Sequence, residues 1–320
     1  MFFLLKRIIS IILILTLLPL PTYGNAEQPL LPQDGAAVTY WTNSRFNESV
    51  TVTDTVFLQQ EAVFTDNAEL ILDGGQLVVG EDAVFYGGIV LAGDGASLDV
   101  LGTVHGDIRV TTADARVQVF GSVDGTLTVD GLAHLRKAED DVSVEIPQDG
   151  YVKTLVLAGV GVADVRGTVD LIDTDPSNKV HLEVMGGTVG TLYARSDAQF
   201  NFKNARAGTI YMDCLDRPGN DNIHNVAVWD ASHVDKIVVD AGHMIATNGS
   251  SVDELYIYGK GHAHLDQGHI KDDGTWLNEY AQLKVSAGKV YQIGRGTVFP
   301  TADKLAFTLL RMEISALVAT

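Results

Sequence analysis

Three histidines near the C-terminal end of the sequence have a spacing that suits metal binding. His262 and His264 are two residues apart, so in a β-strand their side chains lie on the same face. His243 precedes His262 by the length of one coil in a short-coil β-solenoid, which is about 18–20 residues. Imidazole is a good ligand for zinc and copper, so we predict that His243, His262 and His264 bind a divalent cation if the chain forms such coils. The alternative is a set of solvated polar residues on an outward face.

Aspartates are the second group of residues that could bind a cation or act in catalysis. Paired carboxylates hold Ca²⁺ or cleave glycosidic bonds as an acid and a base. Aspartates within the repeating part of the sequence include Asp94, Asp99, Asp107, Asp124, Asp164, Asp170 and Asp173. They are spread around the repeat without a cluster. We therefore assign no catalytic residue and expect no cofactor beyond a divalent cation.

A repeating segment must position these side chains. Phe85, Val104 and Val123 recur at a constant step of about 19 residues, and each begins a short alternating apolar segment. A glycine stands at one fixed offset in each segment; these are Gly87, Gly106 and Gly125. This pattern is typical of a β-solenoid, in which each coil buries its apolar face against the next coil. Alternation places Val104 inward and His105 outward.

The second half of the chain keeps a similar step. Val234, Val252 and Ile270 recur at a constant step that is shorter by one, whereas Ile210 and Ile237 are 27 apart. The extra nine residues predict an insertion at 213–225. Loops that project from one coil are where solenoids usually carry binding residues, so we expect this insertion to form part of a contact surface.

These patterns predict an all-β fold with a single parallel β-helix of about 18–20 residues per coil. We expect a right-handed coil, with a left-handed one as the alternative. The predicted parts are a signal peptide at 1–26, a linker and N-terminal cap at 27–49, the solenoid at 50–300 and a C-terminal capping helix at 301–320. Apolar residues at helical spacing predict that helix; they are Phe307, Leu310, Ile314 and Leu317.

The N-terminal residues have the pattern of a secretory leader. Lys6 and Arg7 precede an apolar segment at 8–18, and small residues follow at Gly24 and Ala26. We predict export, with a secreted or cell-surface location and no stable membrane insertion once the leader is removed. An uncleaved membrane anchor is the alternative.

Net charge narrows the choice of partners. The whole chain carries −19, and loss of Lys6 and Arg7 with the leader makes this −21. Such an acidic protein is a poor ligand for nucleic acid or for anionic membranes. The single cysteine, Cys214, excludes an intramolecular disulfide framework.

Aromatic residues in the later coils offer one further hypothesis. Trp229, Tyr256, Tyr258 and Trp276 could form a platform for a sugar, although aromatic residues at this density more often pack between coils or form stacked ladders.

The segments 102–110 and 121–129 resemble the coil repeats of bactofilins, the polymer-forming bacterial β-helix proteins. They also resemble the near-19-residue repeats of autotransporter-adhesin passenger domains. The first resemblance implies a self-polymerising scaffold, and the second implies a surface-displayed stalk. This chain differs from bactofilins in its leader and from autotransporters in its helix-like C-terminal segment.

From these observations we expect a secreted or cell-surface structural or adhesive solenoid without catalytic activity. A host or cell-surface glycan or protein is the expected partner. The alternatives are a carbohydrate-active enzyme, meaning a polysaccharide lyase or hydrolase, and an exported self-polymerising scaffold. Aromatic residues at 40–46 and the segment 301–320 are expected to cover the ends of the stack, which predicts a monomer or a weak oligomer.

Overall fold

A computed structural model describes most of the chain from residue 38 onward. The described residues are 38–65, 67–112, 114–130, 144–159, 162–175, 180–195, 199–214, 225–246, 250–265, 289–292, 297–300 and 309–311. The predicted signal peptide at 1–26 lies outside the described residues. Within them, no helix is long and apolar enough to cross a membrane.

The described residues form β-strands joined by short turns. In chain order the strands are β1 Val38–Trp41, β2 Ser44–Phe46, β3 Val50–Val52, β4 Thr55–Leu58, β5 Glu61–Phe64, β6 Glu69–Leu72, β7 Gln76–Val79, β8 Val84–Tyr86, β9 Gly88–Leu91, β10 Ser97–Val100, β11 Thr103–His105, β12 Ile108–Val110, β13 Arg116–Val119, β14 Ser122–Val129, β15 Val144–Ile146, β16 Tyr151–Leu157, β17 Val162–Val165, β18 Thr168–Thr174, β19 His181–Met185, β20 Thr188–Ala194, β21 Gln199–Lys203, β22 Arg206–Asp213, β23 Val226–Trp229, β24 His233–Ala246, β25 Ser251–Leu265, β26 Lys289–Gln292, β27 Thr297–Pro300 and β28 Leu309–Arg311.

The strands stack in three parallel ladders. The first ladder begins with β1, β4, β7, β10 and β13 and continues through β15, β17, β19, β21 and β23. The second begins with β2, β5, β8 and β11, and the third with β3, β6, β9 and β12. From β14 onward, single long strands such as β16 and β18 supply both the second and the third ladder. The chain is therefore an all-β parallel solenoid, as predicted.

Strand register confirms the repeat step. Phe85 pairs with Val104, and Val104 pairs with Val123, so each pair joins equivalent residues of successive repeats. Val234 pairs with Val252 at the slightly shorter step of the second half. Wider steps occur where a coil carries an insertion. Val123 pairs with Val152 across such a wide step, so the ladder continues through the charged segment between them.

One hydrophobic core runs between the ladders. Its largest fully buried side chains include Phe85, Phe200 and Phe202. Val104 is buried, whereas His105 next to it is exposed, as the alternation predicted. The same alternation recurs in each coil because successive side chains of a strand point to opposite faces. The inward residues thus bury apolar surface against the coils above and below.

Glycine at the fixed offset is required by close contact between coils. A Cβ atom built on Gly106 would lie 1.9 Å from the carbonyl oxygen of Gly87. A Cβ on Gly125 would lie 2.0 Å from the carbonyl oxygen of Gly106. Any side chain at these positions would push neighbouring backbones apart, which explains why the sequence repeats glycine with the same period as its apolar residues.

The ends of the described ladders differ in detail from the predicted caps. Val38 already pairs with Thr55, so the aromatic segment at 40–46 belongs to a coil of the solenoid. Trp41 packs on Phe46, with ring centroids 4.7 Å apart. Of the predicted helix at 301–320, the structure describes only Leu309–Arg311, which form a strand beside β26. The rest of that segment lies outside the described residues.

Candidate functional site

The predicted histidine set is brought into register at the level of the backbone. His243 pairs with His262 on the neighbouring strand, and Ile245 pairs with His264. The interval between His243 and His262 therefore does correspond to one coil. The side chains of His243, His262 and His264 lie outside the described part of the structure, so their metal binding stays a prediction.

A second group of metal-ligand type lies on the second ladder in the same two strands. Nε2 of His233 is 3.1 Å from Oδ1 of Asp235 and 3.5 Å from Oδ2 of Asp253. Nδ1 of His233 lies 2.7 Å from Oγ of Ser251, which orients the ring. One ligand atom from each of the three residues lies within 4.8 Å of the others. This group can hold a divalent cation, or His233 can balance the two carboxylates when it is protonated.

A row of acidic and amide side chains follows the outward face of the first ladder. Register places its members at one position of successive strands, about 4.8 Å apart. In order along the solenoid they are Asp99, Gln118, Glu145, Asp164, Glu183 and Asn201. This carboxylate row is the largest aligned set of acidic groups in the described residues. Sequence reasoning missed it because Gln118 and Glu145 pair across a step of 27 residues, which departs from the regular repeat.

Ladder neighbours satisfy the outer acids of the carboxylate row. Gln118 donates a hydrogen bond to Glu145 at 2.7 Å, and Asn201 donates one to Glu183 at 2.6 Å. Arg166 donates two hydrogen bonds to Oδ2 of Asp164, at 2.9 and 3.2 Å. Oδ1 of Asp164 is buried and has no hydrogen-bond partner among the described residues. The centre of the row is therefore less well satisfied than its ends.

Burial controls the electrostatics of this row. Loss of solvation raises the pKa of the Asp164 carboxyl, and the charges of Glu145 and Glu183 raise it further, while Arg166 opposes the shift. Burial also raises the pKa of Asp99, against a hydrogen bond from Gln76. Asp164 is only 7% exposed and Asp99 only 3%. Both carboxyls are therefore largely closed to solvent.

The other aspartates that the sequence analysis named are dispersed over different ladders and turns. Asp94 accepts a hydrogen bond from Thr112, and Asp107 accepts one from the backbone N–H of Thr126. Asp124 pairs with His105 at 2.9 Å. Asp170 accepts a 2.6 Å hydrogen bond from the Tyr151 hydroxyl, which raises the pKa of Tyr151 to about 12. Asp173 pairs with Arg195 at 3.3 Å. These contacts tie one coil to another.

The single cysteine has the environment of a core residue. Cys214 is buried, and its thiol lies 3.2 Å from the carbonyl oxygen of Ala194. Burial, with a smaller effect of the Asp213 charge, raises the pKa of Cys214 to about 12. The thiol is therefore protonated at neutral pH and is a poor nucleophile.

A row of tyrosines lies on the outward face of the third ladder. Tyr193 pairs with Tyr211, Tyr211 with Val238, and Val238 with Tyr256. The rings of Tyr193 and Tyr211 are stacked, with centroids 5.1 Å apart and planes 13° apart. Arg195 lies over the Tyr193 ring at 5.0 Å. We call these four positions the tyrosine row; sequence reasoning had singled out only Tyr256 from it.

A shallow cavity of about 210 Å³ opens beside the tyrosine row. Its lining residues are Tyr193, Arg195, Tyr211, Met212, Asp213, Val238 and Asp240. It is smaller than the roughly 300–1,000 Å³ of sites for drug-sized ligands, so it suits one small group of a larger molecule. The predicted insertion begins here. Ile210 pairs with Ile237, which confirms the wide step between them, and residues 215–224 lie outside the described residues.

Comparisons with known proteins give no relative for this chain. No family model, no curated protein and no solved structure matches it.

Proposed function

We propose that this chain is a secreted or cell-surface structural and adhesive solenoid without catalytic activity. One observation carries the proposal: two acids of the carboxylate row are buried, whereas the tyrosine row includes an exposed ring. Asp99 and Asp164 are 3% and 7% exposed, and Tyr211 is 37% exposed. The side chains that a partner in solution can reach are therefore suited to binding.

The partner that fits best is a host or cell-surface glycan, with a protein as the alternative. Stacked tyrosines beside charged groups are typical of surfaces that bind polyhydroxylated ligands by their apolar faces and their hydroxyls. The predicted insertion at 213–225 begins at the end of β22, the strand of Tyr211. A net charge of −21 after leader removal disfavours nucleic acid as the partner.

The first experiment is a screen of the secreted protein, residues 27–320, against neutral and acidic polysaccharides. Binding is measured by sedimentation with the insoluble polysaccharides, and cleavage by release of reducing ends. We expect binding without cleavage. Release of product would contradict the non-catalytic assignment, and a failure to bind any glycan together with binding to a protein-coated surface would favour a protein partner.

A carbohydrate-active enzyme is the second candidate, and one geometric feature favours it. Glu145 and Asp164 are paired on neighbouring strands, and the strand spacing of about 4.8 Å is similar to the carboxyl separation of about 5–5.5 Å in retaining glycosidases. A raised pKa, as at Asp164, is a property of a general acid. Asp164→Asn and Glu145→Gln test this reading. Glycan cleavage by the wild type that disappears in both variants, with folding intact, would establish the enzyme.

The proposal includes a right-handed coil and covered ends. Ends that are covered favour a monomer or a weak oligomer, because unpaired N–H and C=O groups of an open coil would pair with another molecule. A helix in the parts of 301–320 that flank Leu309–Arg311 would supply the C-terminal cover. The self-polymerising scaffold that the bactofilin resemblance implies is the alternative, and electron microscopy of the secreted protein separates the two.

A further inference from the structure

The tyrosine row lacks one ring. Tyr193, Tyr211 and Tyr256 occupy equivalent positions on three of four consecutive strands, and Val238 occupies the remaining position between Tyr211 and Tyr256. Val238 is half-buried and forms the floor of the resulting gap. Because neighbouring strands are about 4.8 Å apart, Tyr211 and Tyr256 stand about 9.6 Å apart along the ladder.

The space over Val238 suits one ring stacked on Tyr211. A ring placed there lies about 4.8 Å from Tyr211, within the centroid range of about 4.5–7 Å at which rings pack against one another. Tyr193 and Tyr211 already show that spacing, at 5.1 Å. The face of Tyr211 that Tyr193 leaves uncovered is directed along the ladder toward Val238.

Charged groups of both signs border the gap. Lys236 and Asp240 lie on the strand of Val238, two residues before it and two residues after it, and Asp213 lines the cavity beside it. Nζ of Lys236 lies 4.8 Å from the centroid of the Tyr256 ring. Carboxylates accept hydrogen bonds from hydroxyls, and an ammonium group donates hydrogen bonds to hydroxyls. These charged groups therefore suit a ring that has apolar faces and hydroxyls around its rim.

The backbone at Asp240 forms a corner of the coil. The register of β24 against β22 shifts between the pairs Met212–Val239 and Asp213–Ala241, which leaves Asp240 as an extra residue. The register against β25 shifts at the same place. Beyond this corner β24 pairs with β23 of the first ladder. Asp240 is thus exposed at a corner and lines the cavity.

We propose that the gap at Val238 binds one neutral sugar ring of a glycan chain. The ring stacks on Tyr211 over Val238, and its hydroxyls bond to Asp213, Asp240 and Lys236, whose ammonium covers the facing side of Tyr256. This site rests on the proposed adhesive function and names its ligand class. A neutral ligand fits because the border carries acidic and basic groups together, and a chain can extend from the site because the gap lies on the outward face.

Val238→Tyr tests the site by filling the gap with the protein's own ring. The row already holds tyrosine at neighbouring positions, so the variant should fold, and its melting temperature reports this. The probes are neutral hexasaccharides of glucose, mannose and N-acetylglucosamine at about 1 mM, with binding measured by calorimetry and by upfield shifts of sugar C–H protons. We expect the affinity to fall at least about tenfold. Val238→Thr, which keeps the gap, should bind like the wild type.

The outcomes separate the site from the wider function. If the wild type binds a hexasaccharide and Val238→Tyr binds it equally well, the site is wrong and adhesion stands. If none of the hexasaccharides binds while the protein still adheres to a polysaccharide or a protein-coated surface, the neutral-sugar assignment is wrong. Preferential binding of oligogalacturonate or of choline would also overturn it, because the ligand would then be charged. Tyr211→Ala should weaken binding as Val238→Tyr does.

Discussion

At the scale of single residues, Asp164 is the group whose environment fits its charge least. Its Oδ1 atom is buried and has no hydrogen-bond partner among the described residues, and Glu145 and Glu183 stand on the strands to either side. Arg166 satisfies only Oδ2. The negative charge is therefore disfavoured in the folded chain, and the pKa of Asp164 lies above 3.8, its ordinary value.

This shift predicts how stability depends on pH at Asp164. Because the native pKa is raised, the folded state holds the proton more tightly than the unfolded state, and the contribution of Asp164 to stability declines as pH rises through the native value. Asp164→Asn mimics the protonated form. We expect the variant to be more stable than the wild type at pH 8, by on the order of 0.5–1 kcal/mol, and the difference to vanish at low pH.

Thermal unfolding across the pH range measures this effect. Asp130→Asn is the matched control, because Asp130 is an exposed aspartate directly after strand β14. The control should change the melting temperature little at any pH. A loss of stability in Asp164→Asn at pH 8 would mean that the ion pair with Arg166 outweighs the burial of the charge.

At the scale of elements, the contact between successive coils depends on glycine. The Gly106 position leaves no room for a Cβ, because the Gly87 carbonyl oxygen would lie 1.9 Å away. Backbone atoms cannot move aside without breaking the parallel pairing of β8 with β11, which Phe85 and Val104 share. Elsewhere a coil has more freedom. A Cβ on Gly88 would meet only the side chain of Glu69, at 3.2 Å.

Substitution by alanine should therefore change the stability of the protein much more at Gly106 than at Gly88. Gly106→Ala should destabilise the protein by about 1–3 kcal/mol, as overpacking does elsewhere, with a melting temperature lower by roughly 2–4 °C per kcal/mol. Gly88→Ala should change stability little, because the flexible Glu69 side chain can move. Equal melting temperatures for the two variants would show that the coils can separate at Gly106 at no cost.

At the scale of the whole molecule, each coil contacts mainly its immediate neighbours. Stability is then approximately a sum over coils and the interfaces between them. This explains why the wide steps from Ile210 to Ile237 and from Val123 to Val152 interrupt the regular repeat without ending the ladders. The described strands on either side of each wide step stay in register. Such an arrangement tolerates insertions along its length. Its terminal coils are the least stable, because each contacts only one neighbouring coil.

The C-terminal coil predicts a change in association. Removal of residues 301–320 deletes Leu309–Arg311 and leaves the edge of Val290–Gln292 without that partner. We expect the shortened protein to form filaments or aggregates, measured by sedimentation velocity and electron microscopy. Removal of residues 312–320 alone should raise association less, because it keeps the strand that pairs with Val290–Gln292. Long filaments of the intact secreted protein at micromolar concentration would contradict covered ends and favour the self-polymerising alternative.

The sequence by itself determined the fold class. Inward residues such as Val104 and Val123 recur with the glycine that close coil contact requires, and a strand has a period of two, so repeat step and facing could be derived from residue types. The wide interval between Ile210 and Ile237 likewise located the insertion. Both features are local or strictly periodic, which is why one sequence suffices to predict them.

Tertiary structure alone decided which outward residues meet. Gln118 and Glu145 become neighbours only because a wide coil brings β13 and β15 into register, and Val238 faces a gap only because Tyr211 and Tyr256 flank it. Outward positions carry no apolar period, so nothing in the sequence marks the rows to which they belong.

The pairing of strands in the early coils was likewise not predictable from the sequence. Ala62 pairs with Phe85, although the similar segments at 62–64 and 83–85 suggest that Ala62 should pair with Ala83. Which side chains are buried depends on which strands pair. That pairing depends on the number of residues in each coil.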